Sequence, residues 1–284
     1  MKCLICKAET KTTGREIEKM NLLQCPSCLS EFLYPQPNDE KLRELYSGKY
    51  YNSWGSKTTM ESTIRMKKLT GYRYLDRIAE YAGSGKILDI GCAMGFFLDA
   101  ARERGFEPYG VEFSTYSAEI ARKKFGNDVI FHGTLEQSDF NEDTFDVITM
   151  FDLLEHVRNP LNTLKIASRL LKRNGIIMIT TPDLSRFLRL LMGKKWLHYK
   201  AEHLYYFHRN GILKLFVKAG FKIENIETAK KAFTLSYAFH QFSVYNHFLI
   251  SPVINIMNKL LPSGIKNRPF YLKLGEMNII LSKS

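Results

Sequence analysis

Strand and helix patterns alternate along residues 86–182, and this alternation constrains the fold of the chain more than any other feature. Short apolar runs with the length of buried strands lie at residues 86–90, 107–112, 129–131, 145–151 and 176–180. Amphipathic helical patterns follow three of these runs. Because parallel strands need crossover helices, this rhythm requires a sheet with helices on both faces. We therefore predict an α/β fold with a Rossmann-like sheet.

Composition places the 284-residue chain among ordinary globular proteins, since 45% of its residues are hydrophobic and 25% are charged. These values exclude a disordered, collagen-like or fibrous protein. No stretch reaches about 18 uninterrupted apolar residues, and the first residues lack the apolar core of a signal peptide. We therefore expect a cytoplasmic protein without a transmembrane helix. The net charge of +12 favours an anionic partner: a phosphorylated substrate, an acidic membrane surface or a nucleic acid.

Four of the five cysteines form two C-x-x-C pairs near the N-terminus, Cys3 with Cys6 and Cys25 with Cys28. The spacing between the pairs is typical of structural zinc sites. Each pair presents two thiolates on one side of a turn, and two such turns complete a tetrahedral shell. We predict a structural Zn²⁺ ion in a zinc ribbon over residues 1–36, with redox use or coincidence as the alternative. The metal would stabilise a segment that has few apolar residues of its own.

The turn after the first predicted strand has the glycines of a cofactor-binding loop. Gly91 and Gly95 permit a tight turn and a close approach of the backbone to a ligand. A dinucleotide fingerprint that begins at Gly91 needs glycine at the positions of Ala93 and Phe96, so NAD is disfavoured. Glu112 ends the second strand, where a carboxylate can accept hydrogen bonds from both hydroxyls of a ribose.

Several motifs along residues 86–182 together point to one family. They are Leu-Asp-Ile-Gly-x-x-x-Gly at 88–95, the acidic Glu112, Phe-Asp-Val-Ile at 145–148, Asp-Leu-Leu-Glu-His-Val at 152–157 and Asn-Gly-Ile-Ile-Met-Ile-Thr-Thr-Pro at 174–182. With them the chain resembles class I S-adenosylmethionine-dependent methyltransferases, and among these the group that contains ubiquinone O-methyltransferases. The zinc ribbon and Ala-Glu-His-Leu-Tyr-Tyr-Phe at 201–207 also resemble zinc-ribbon methyltransferases of nucleotide-linked deoxysugars.

The resemblance implies a seven-stranded sheet whose last strand runs antiparallel. Two prolines at 35 and 37 end the ribbon, and a helical pattern runs from about 61 to 82. We therefore predict a helical arm at residues 37–82 and the methyltransferase domain at residues 83–284, with insertions at about 183–208 and 231–270.

S-adenosyl-L-methionine is the cofactor that the resemblance implies. Asp89 should face its methionine amino group, the Gly91–Gly95 backbone should lie against the methionine part, and Glu112 should hold the ribose. Further cofactor contacts are expected from Phe113, Thr134 and Phe151. The chain departs from the family at Ala93, where a third glycine is usual, and at Thr134, where relatives often have aspartate.

Two acid–histidine pairs are candidates for removing a proton from an oxygen or carbon nucleophile. Glu155–His156 follows the fourth strand, and ubiquinone-type relatives suggest a divalent cation near Asp152 and Glu155. Glu202–His203 matches a pair that acts as base and substrate contact in the sugar C-methyltransferases. We rank His203 first as the base and His156 second, and contact with Glu202 would raise the imidazole pKa. The alternative is structural: the first pair anchors a helix and the second ties an insertion to the core.

The segment at residues 233–261 is rich in aromatic and aliphatic side chains. It suits a lid, a homodimer surface, or a peripheral contact with a membrane or a lipid-linked substrate. Tyr50 and Tyr51 in the N-terminal arm could close over the site, with aromatic packing as the alternative.

The predicted function is methyl transfer at O or C of a small, phosphorylated biosynthetic intermediate such as a sugar, a nucleotide-sugar or a polyprenyl compound. The positive charge and the ribbon suggest an RNA methyltransferase as the alternative. Residues 151–154, however, lack the Asn/Asp-Pro-Pro-aromatic motif of base N-methyltransferases, so a nucleic-acid partner is disfavoured. A non-catalytic scaffold is the second alternative, and the set of Asp89, Gly91 and Glu112 argues against it.

Overall fold

The computed structural model describes residues 1–38, 40–42, 57–185, 187–193, 196, 198–239 and 260–284. The expectations for Tyr50, for Tyr51 and for most of residues 233–261 lie outside these residues.

The strands and the helices are numbered separately, each in chain order. The strands are β1 (Lys11–Ile17), β2 (Met20–Gln24), β3 (Glu31–Tyr34), β4 (Gly85–Ile90), β5 (Phe106–Glu112), β6 (Ile130–His132), β7 (Phe145–Phe151), β8 (Leu171–Pro182), β9 (Tyr205–Tyr206), β10 (Phe221–Thr228), β11 (Lys231–Phe233), β12 (Phe270–Leu272) and β13 (Glu276–Lys283). The helices are α1 (Lys57–Ile78), α2 (Phe96–Glu103), α3 (Thr115–Phe125), α4 (Pro160–Leu170), α5 (Phe187–Met192), α6 (Arg209–Lys218) and α7 (Ser263–Lys266).

The central sheet has seven strands in the order β10-β13-β8-β7-β4-β5-β6. Strand β13 runs antiparallel to both of its neighbours, whereas β4 pairs in parallel with β5 and β7. The predicted sheet with an antiparallel last strand is confirmed. Leu88 of β4 lies between Tyr109 of β5 and Ile148 of β7. Strand order reverses at this point, so the carboxyl ends of these strands form the crevice where such sheets bind ligands.

Asn before Pro at residues 159–160 predicts the start of a helix, and helix α4 begins there but ends earlier than its sequence pattern predicts. The side chain of Asn159 caps it by accepting the N–H of Asn162 at 3.1 Å, and Pro160 follows at the first helical position. The sequence predicts a stop at Asn174–Gly175, whereas the helix ends at Leu170. The prediction was wrong because Leu171 is fully buried and pairs with β7, which draws the chain into the sheet four residues early.

The N-terminal segment packs onto the rest of the molecule. Strands β1, β2 and β3 form a sheet with β9, which belongs to the segment at residues 183–208. The buried cysteines Cys3, Cys25 and Cys28 share one apolar core with Ile212 and Phe216 of α6. The ribbon and helix α6 are therefore joined through buried surface.

No helix within the described ranges is long and apolar enough to cross a membrane.

Candidate active site

The turn between β4 and α2 requires glycine at two positions. Gly91 and Gly95 have φ angles of 80° and 77°, in the left-handed region that glycine adopts at little cost. A Cβ atom on Gly91 would lie 3.0 Å from Leu153, and one on Gly95 would lie 2.6 Å from the ring of Phe125. The predicted cofactor loop is thus a tight turn packed against the end of β7 and helix α3.

Ala93 takes a left-handed conformation as well, with a φ angle of 48°. For a residue with a side chain this costs about 1–2 kcal/mol. The N–H of Ala93 donates to Oε2 of Glu112 at 2.8 Å, a contact that holds the loop in this shape. Alanine in place of the family's usual glycine at position 93 therefore strains the backbone.

Asp89 is a buried carboxylate at the end of β4. Burial raises its pKa to about 7, and the charge of Glu112 adds to the effect, while the hydrogen bond from Thr149 opposes it. The Thr149 hydroxyl donates to Oδ1 of Asp89 at 2.7 Å. A buried carboxylate of this kind is stabilised by a positive charge, such as the ammonium group of an amino acid.

Glu112 already has a structural task. One carboxylate oxygen accepts the N–H of Ala93 and the other accepts the N–H of Ser114 at 2.7 Å. Burial raises the pKa of Glu112, and these backbone N–H groups oppose the rise. A carboxylate has about four lone-pair sites, so two remain for the hydroxyls of a ribose.

Two of the other expected cofactor residues lie at the same end of the sheet. Phe113 follows Glu112 and its ring is 38% exposed, which leaves a face for an adenine ring. The N–H of Thr134 donates to Oε1 of Gln137 at 2.9 Å and so is occupied by a local turn. Both roles stay predictions.

Phe151 at the end of β7 lies in an aromatic cluster. Its ring centroid is 4.6 Å from that of Tyr74 and 4.8 Å from that of Phe97. Phe151 thereby joins α1 and α2 to the sheet, and a cofactor contact stays a prediction.

Asp152, the first residue after β7, forms an ion pair. Its Oδ2 accepts from Nζ of Lys231 at 2.6 Å, and the same ammonium donates to Glu276 at 2.8 Å. Burial opposes ionisation of Asp152, but the charge of Lys231 is strong enough to hold its pKa below the usual range. A cation predicted near Asp152 and Glu155 would therefore meet an ammonium group at Asp152.

The two acid–histidine pairs form one cluster. The rings of His156 and His203 meet nearly at right angles with centroids 4.6 Å apart. Donor atoms of Glu155, His156 and His203 all lie within 4.8 Å of one another. Oε1 of Glu155 and Nδ1 of His203 are buried and have no hydrogen-bond partner among the described residues. The hydroxyl of Thr181 donates to the other oxygen of Glu155 at 2.8 Å.

Burial controls protonation in this cluster. It lowers the pKa of His156 to about 4 and that of His203 well below its usual value. Burial, followed by the charge of Asp152, raises the pKa of Glu155 to about 8. At neutral pH both imidazoles are uncharged and Glu155 is largely protonated.

Glu202 does not act on His203 as expected. Its carboxylate lies 3.9 Å from Nζ of Lys200, and the pKa of His203 is lowered rather than raised. The expected rise was wrong because burial outweighs adjacency in sequence. The carbonyl of Glu202 accepts the Nδ1–H of His156 at 2.9 Å, which makes Nε2 the basic nitrogen of that neutral imidazole.

Sequence reasoning missed four polar residues around the site: Tyr74, Thr149, Thr181 and Lys231. Tyr74 is buried, and its hydroxyl has no hydrogen-bond partner in the described part of the chain. These residues come from one helix and three different strands, and only Thr181 lies within a motif quoted above, the one at 174–182. Only the register of the strands could have indicated Thr149, which lies opposite Asp89.

The four N-terminal cysteines are arranged as zinc requires. The Sγ atoms of Cys3 and Cys28 are 3.7 Å apart, and those of Cys6 and Cys25 are 3.4 Å apart. Zinc–sulfur bonds of about 2.3 Å in a tetrahedron place sulfur atoms about 3.8 Å apart. The hydrogen bond between Cys3 and Cys28 lowers the pKa of Cys3 and raises that of Cys28, so the pair holds one thiolate and one thiol. The donor set fits a structural Zn²⁺ ion, which stays a prediction.

Comparisons with known proteins agree with this geometry. A family model described as "Methyltransferase domain" matches residues 65–226. A ubiquinone biosynthesis O-methyltransferase of Haemophilus ducreyi is 26% identical over 157 residues, which cover 51% of this chain and 66% of that protein. The mitochondrial protein of the same name from Schizosaccharomyces pombe is 32% identical over 112 residues, 37% of this chain and 41% of the relative. The chain thus spans less than two thirds of the length of either relative.

A solved structure extends the likeness to the fold. The S-adenosylmethionine-dependent methyltransferase of Thermotoga maritima has a TM-score of 0.53 and 21% identity, over 86% of this chain and 99% of that one. At this identity the match is evidence for a shared fold.

Proposed function

The chain belongs to the methyltransferase-domain family, and from this premise we propose that it transfers a methyl group from S-adenosylmethionine to a small biosynthetic intermediate. One observation carries the proposal: Asp89 and Glu112 end adjacent strands beside a glycine turn, and the Glu155–His156–His203 cluster follows the next strand. Cofactor and proton-accepting groups thus share one edge of the sheet.

The residues of the β4 and β5 ends suit the cofactor. S-adenosylmethionine, when bound, supplies an electrophilic methyl group, so the protein needs only to orient the acceptor and remove its proton. Asp89 would hold the amino group, the open lone pairs of Glu112 would accept from the ribose, and the exposed ring of Phe113 would contact the adenine.

His203 is the proposed proton acceptor. Burial lowers its pKa, which keeps its imidazole neutral and also weakens it as a base, so proton uptake depends on the acidic groups that face the ring. Its Nδ1 atom has no partner among the residues described, whereas His156 is committed through Nδ1 to the carbonyl of Glu202. Glu155 stands beside both rings; it is largely protonated at rest, and would stabilise an imidazolium formed during the reaction once its own proton has left.

A second mechanism uses the same cluster to bind a divalent cation. Two imidazoles and one carboxylate form a ligand set that zinc and other divalent metals use in catalytic sites. The ion pair between Asp152 and Lys231 favours a cation at Glu155, His156 and His203 instead of at Asp152. Such an ion would lower the pKa of an acceptor hydroxyl directly and would make His203 a ligand rather than a base.

An anionic substrate is supported by charge. Beside α1, β10 and β13 lies a cavity of about 220 Å³ lined by Arg73, Arg77 and Lys230, with Glu227 as the opposing carboxylate. We place a phosphate or carboxylate group of the substrate here, with acceptance of the methyl group at O or C. The relatives named for ubiquinone biosynthesis O-methylation favour an oxygen acceptor.

Leu260 of the apolar segment is exposed, as are Ile265 and Tyr271 just after it, and all three lie close in sequence to Lys266 and Arg268. This combination supports a peripheral contact with an acidic membrane or a lipid-linked substrate, with a homodimer surface as the alternative.

The proposal is tested by methyl transfer from labelled S-adenosylmethionine into fractionated nucleotide-sugar and lipid extracts. With a substrate identified, His203→Ala should lower kcat by about 10²–10⁴-fold while cofactor affinity is retained. His156→Ala is the matched control and should have the smaller effect. Near-normal turnover of His203→Ala together with a large loss in His156→Ala would reverse the assignment. Activity restored to chelated enzyme by Mn²⁺ or Mg²⁺, but not by Zn²⁺ at ribbon stoichiometry, would favour the cation mechanism.

A further inference from the structure

The ribbon strand β3 pairs directly with the segment that carries His203. Glu31 and Phe32 of β3 lie opposite Tyr206 and Tyr205 of β9 in an antiparallel register. One residue further, the N–H of Leu33 donates to the carbonyl of Leu204 at 3.1 Å. The residue bonded to Leu33 is therefore the immediate neighbour of His203.

The other edge of this segment is bound to the turn after β7. The N–H groups of Leu204 and Tyr205 both donate to the carbonyl of Glu155, at 2.9 Å and 3.1 Å. The Nδ1–H of His156 donates to the carbonyl of Glu202. Residues 202–205 thus lie between β3 of the ribbon and the Glu155–His156 turn, and both sides contribute to the position of the His203 ring.

The second cysteine pair shapes the start of β3. The N–H of Cys25 donates to the carbonyl of Ser30 at 3.0 Å, and the N–H of Leu29 donates to the carbonyl of Cys25 at 2.8 Å. Oγ of Ser30 accepts the N–H of His208 at 3.1 Å, just beyond β9. Four residues lie between Cys28 and Leu33. A change at the cysteine cluster therefore has a short covalent path to the strand that holds Leu204.

A buried charge strengthens the same junction. Glu31 is fully buried, and it accepts from Arg189 and from the hydroxyl of Tyr199, each at 2.7 Å. Displacing β3 would leave this carboxylate without its partners, which is costly in a buried site. The position of β3 is thus tied to two residues, Arg189 and Tyr199, that precede His203 in the same segment.

We propose that the ribbon positions His203, with the metal-bound cysteine cluster fixing β3 and β3 fixing residues 202–205 through Leu33. The ribbon is then part of the active-site architecture, and loss of its metal releases the imidazole from its place beside His156. The inference rests on the proposed function only in treating His203 as the reacting residue, because its position can be measured without turnover.

The first experiment removes the metal and measures His203 directly. Zinc is withdrawn by a chelator, or by Cys25→Ser combined with Cys28→Ser, and mass spectrometry follows amide hydrogen exchange at residues 202–205 and modification of His203 by diethylpyrocarbonate. Both should rise by about tenfold or more as the segment opens, while the Kd for S-adenosylmethionine changes less than about threefold. Restored zinc should reverse the effect in the chelated wild type. A His203 that stays protected without zinc, or a loss of cofactor binding along with it, would overturn the proposal.

The second experiment keeps the cysteines and removes one hydrogen bond. Leu33→Pro deletes the N–H that donates to Leu204, and Leu33→Ala is the matched control because it loses the same buried side chain but keeps the donor. Leu33→Pro should increase His203 modification several-fold over Leu33→Ala at equal zinc content. Equal modification in the two variants would exclude the β3 hydrogen bond as the link. Amide exchange and modification of His203 are measured without turnover. If His203→Ala retains activity, His203 is not the base, but these two measurements still test whether the ribbon positions it.

Discussion

At the scale of single residues, the proposed contact between Asp89 and the cofactor predicts that cofactor binding depends on pH. Its buried carboxyl has a pKa of about 7 in the free protein, and a bound ammonium group favours the ionised form. Below pH 7, binding must therefore expel a proton, so affinity should fall by up to about tenfold per pH unit and should level off above pH 7. Calorimetric titration across this range measures the effect. Asp89→Asn should bind weakly with little pH dependence, and a wild type equally insensitive to pH would contradict the role.

Ala93 offers a second residue-scale test, because its left-handed backbone is strained. Ala93→Gly should stabilise the protein by about 0.5–1 kcal/mol, since glycine adopts this conformation without the cost of a Cβ atom. Urea unfolding without cofactor gives the difference. Ala100→Gly within helix α2 is the control and should destabilise by about 1 kcal/mol or more. Destabilisation by Ala93→Gly would mean that the strain is absent in solution.

At the scale of elements, Glu112 joins the end of β5 to the glycine turn after β4. Glu112→Ala removes the predicted ribose acceptor and also the acceptor for the N–H of Ala93. Cofactor binding should weaken by about 1.5–3 kcal/mol, and amide exchange at residues 91–95 should quicken even without cofactor. Calorimetry and exchange mass spectrometry separate the two effects. Unchanged affinity would remove Glu112 from the site, whereas unchanged exchange would remove only its task in the loop.

Elements encoded by local signals could be predicted from the sequence, and elements created by tertiary pairing could not. Strand β7 was expected at residues 145–151 and lies there, and Asn159 and Pro160 indicated where α4 begins. The two-residue strand β9 exists only because β3 lies beside it. The early end of α4 at Leu170 has the same origin, since pairing with β7 overrides the helical pattern.

The site followed the same rule. Motifs identified Asp89, Glu112 and both acid–histidine pairs, because each lies at a strand end or in a short signature. From the sequence, His156 and His203 are ranked as alternatives. In the fold their rings are in contact, although 46 residues separate them in the chain. The hydrogen bond from His156 to the carbonyl of Glu202 joins the same two segments. Which distant segments come into contact depends on the order of the strands in the sheet. The hydrophobic periodicity of a sequence does not determine that order.

At the scale of the whole molecule, the ribbon, the seven-stranded sheet and the segment at residues 183–208 meet around one histidine. Strand β3 reaches the active-site segment from one side, and the turn after β7 reaches it from the other. The cavity lined by Arg73, Arg77 and Lys230 lies beside β10 and β13, the two strands at one end of the sheet order. The proposed cofactor site, proton acceptor and anion-binding region are all drawn from this one chain.

The most direct test of the account is a calorimetric titration of the full chain with S-adenosylmethionine, with a nicotinamide dinucleotide titrated in parallel. The account predicts one S-adenosylmethionine bound per chain, competition by its demethylated product, and no binding of the dinucleotide, because the turn at 91–96 lacks the glycines that a dinucleotide requires. Absence of S-adenosylmethionine binding by folded protein, or preferred binding of the dinucleotide, would contradict it.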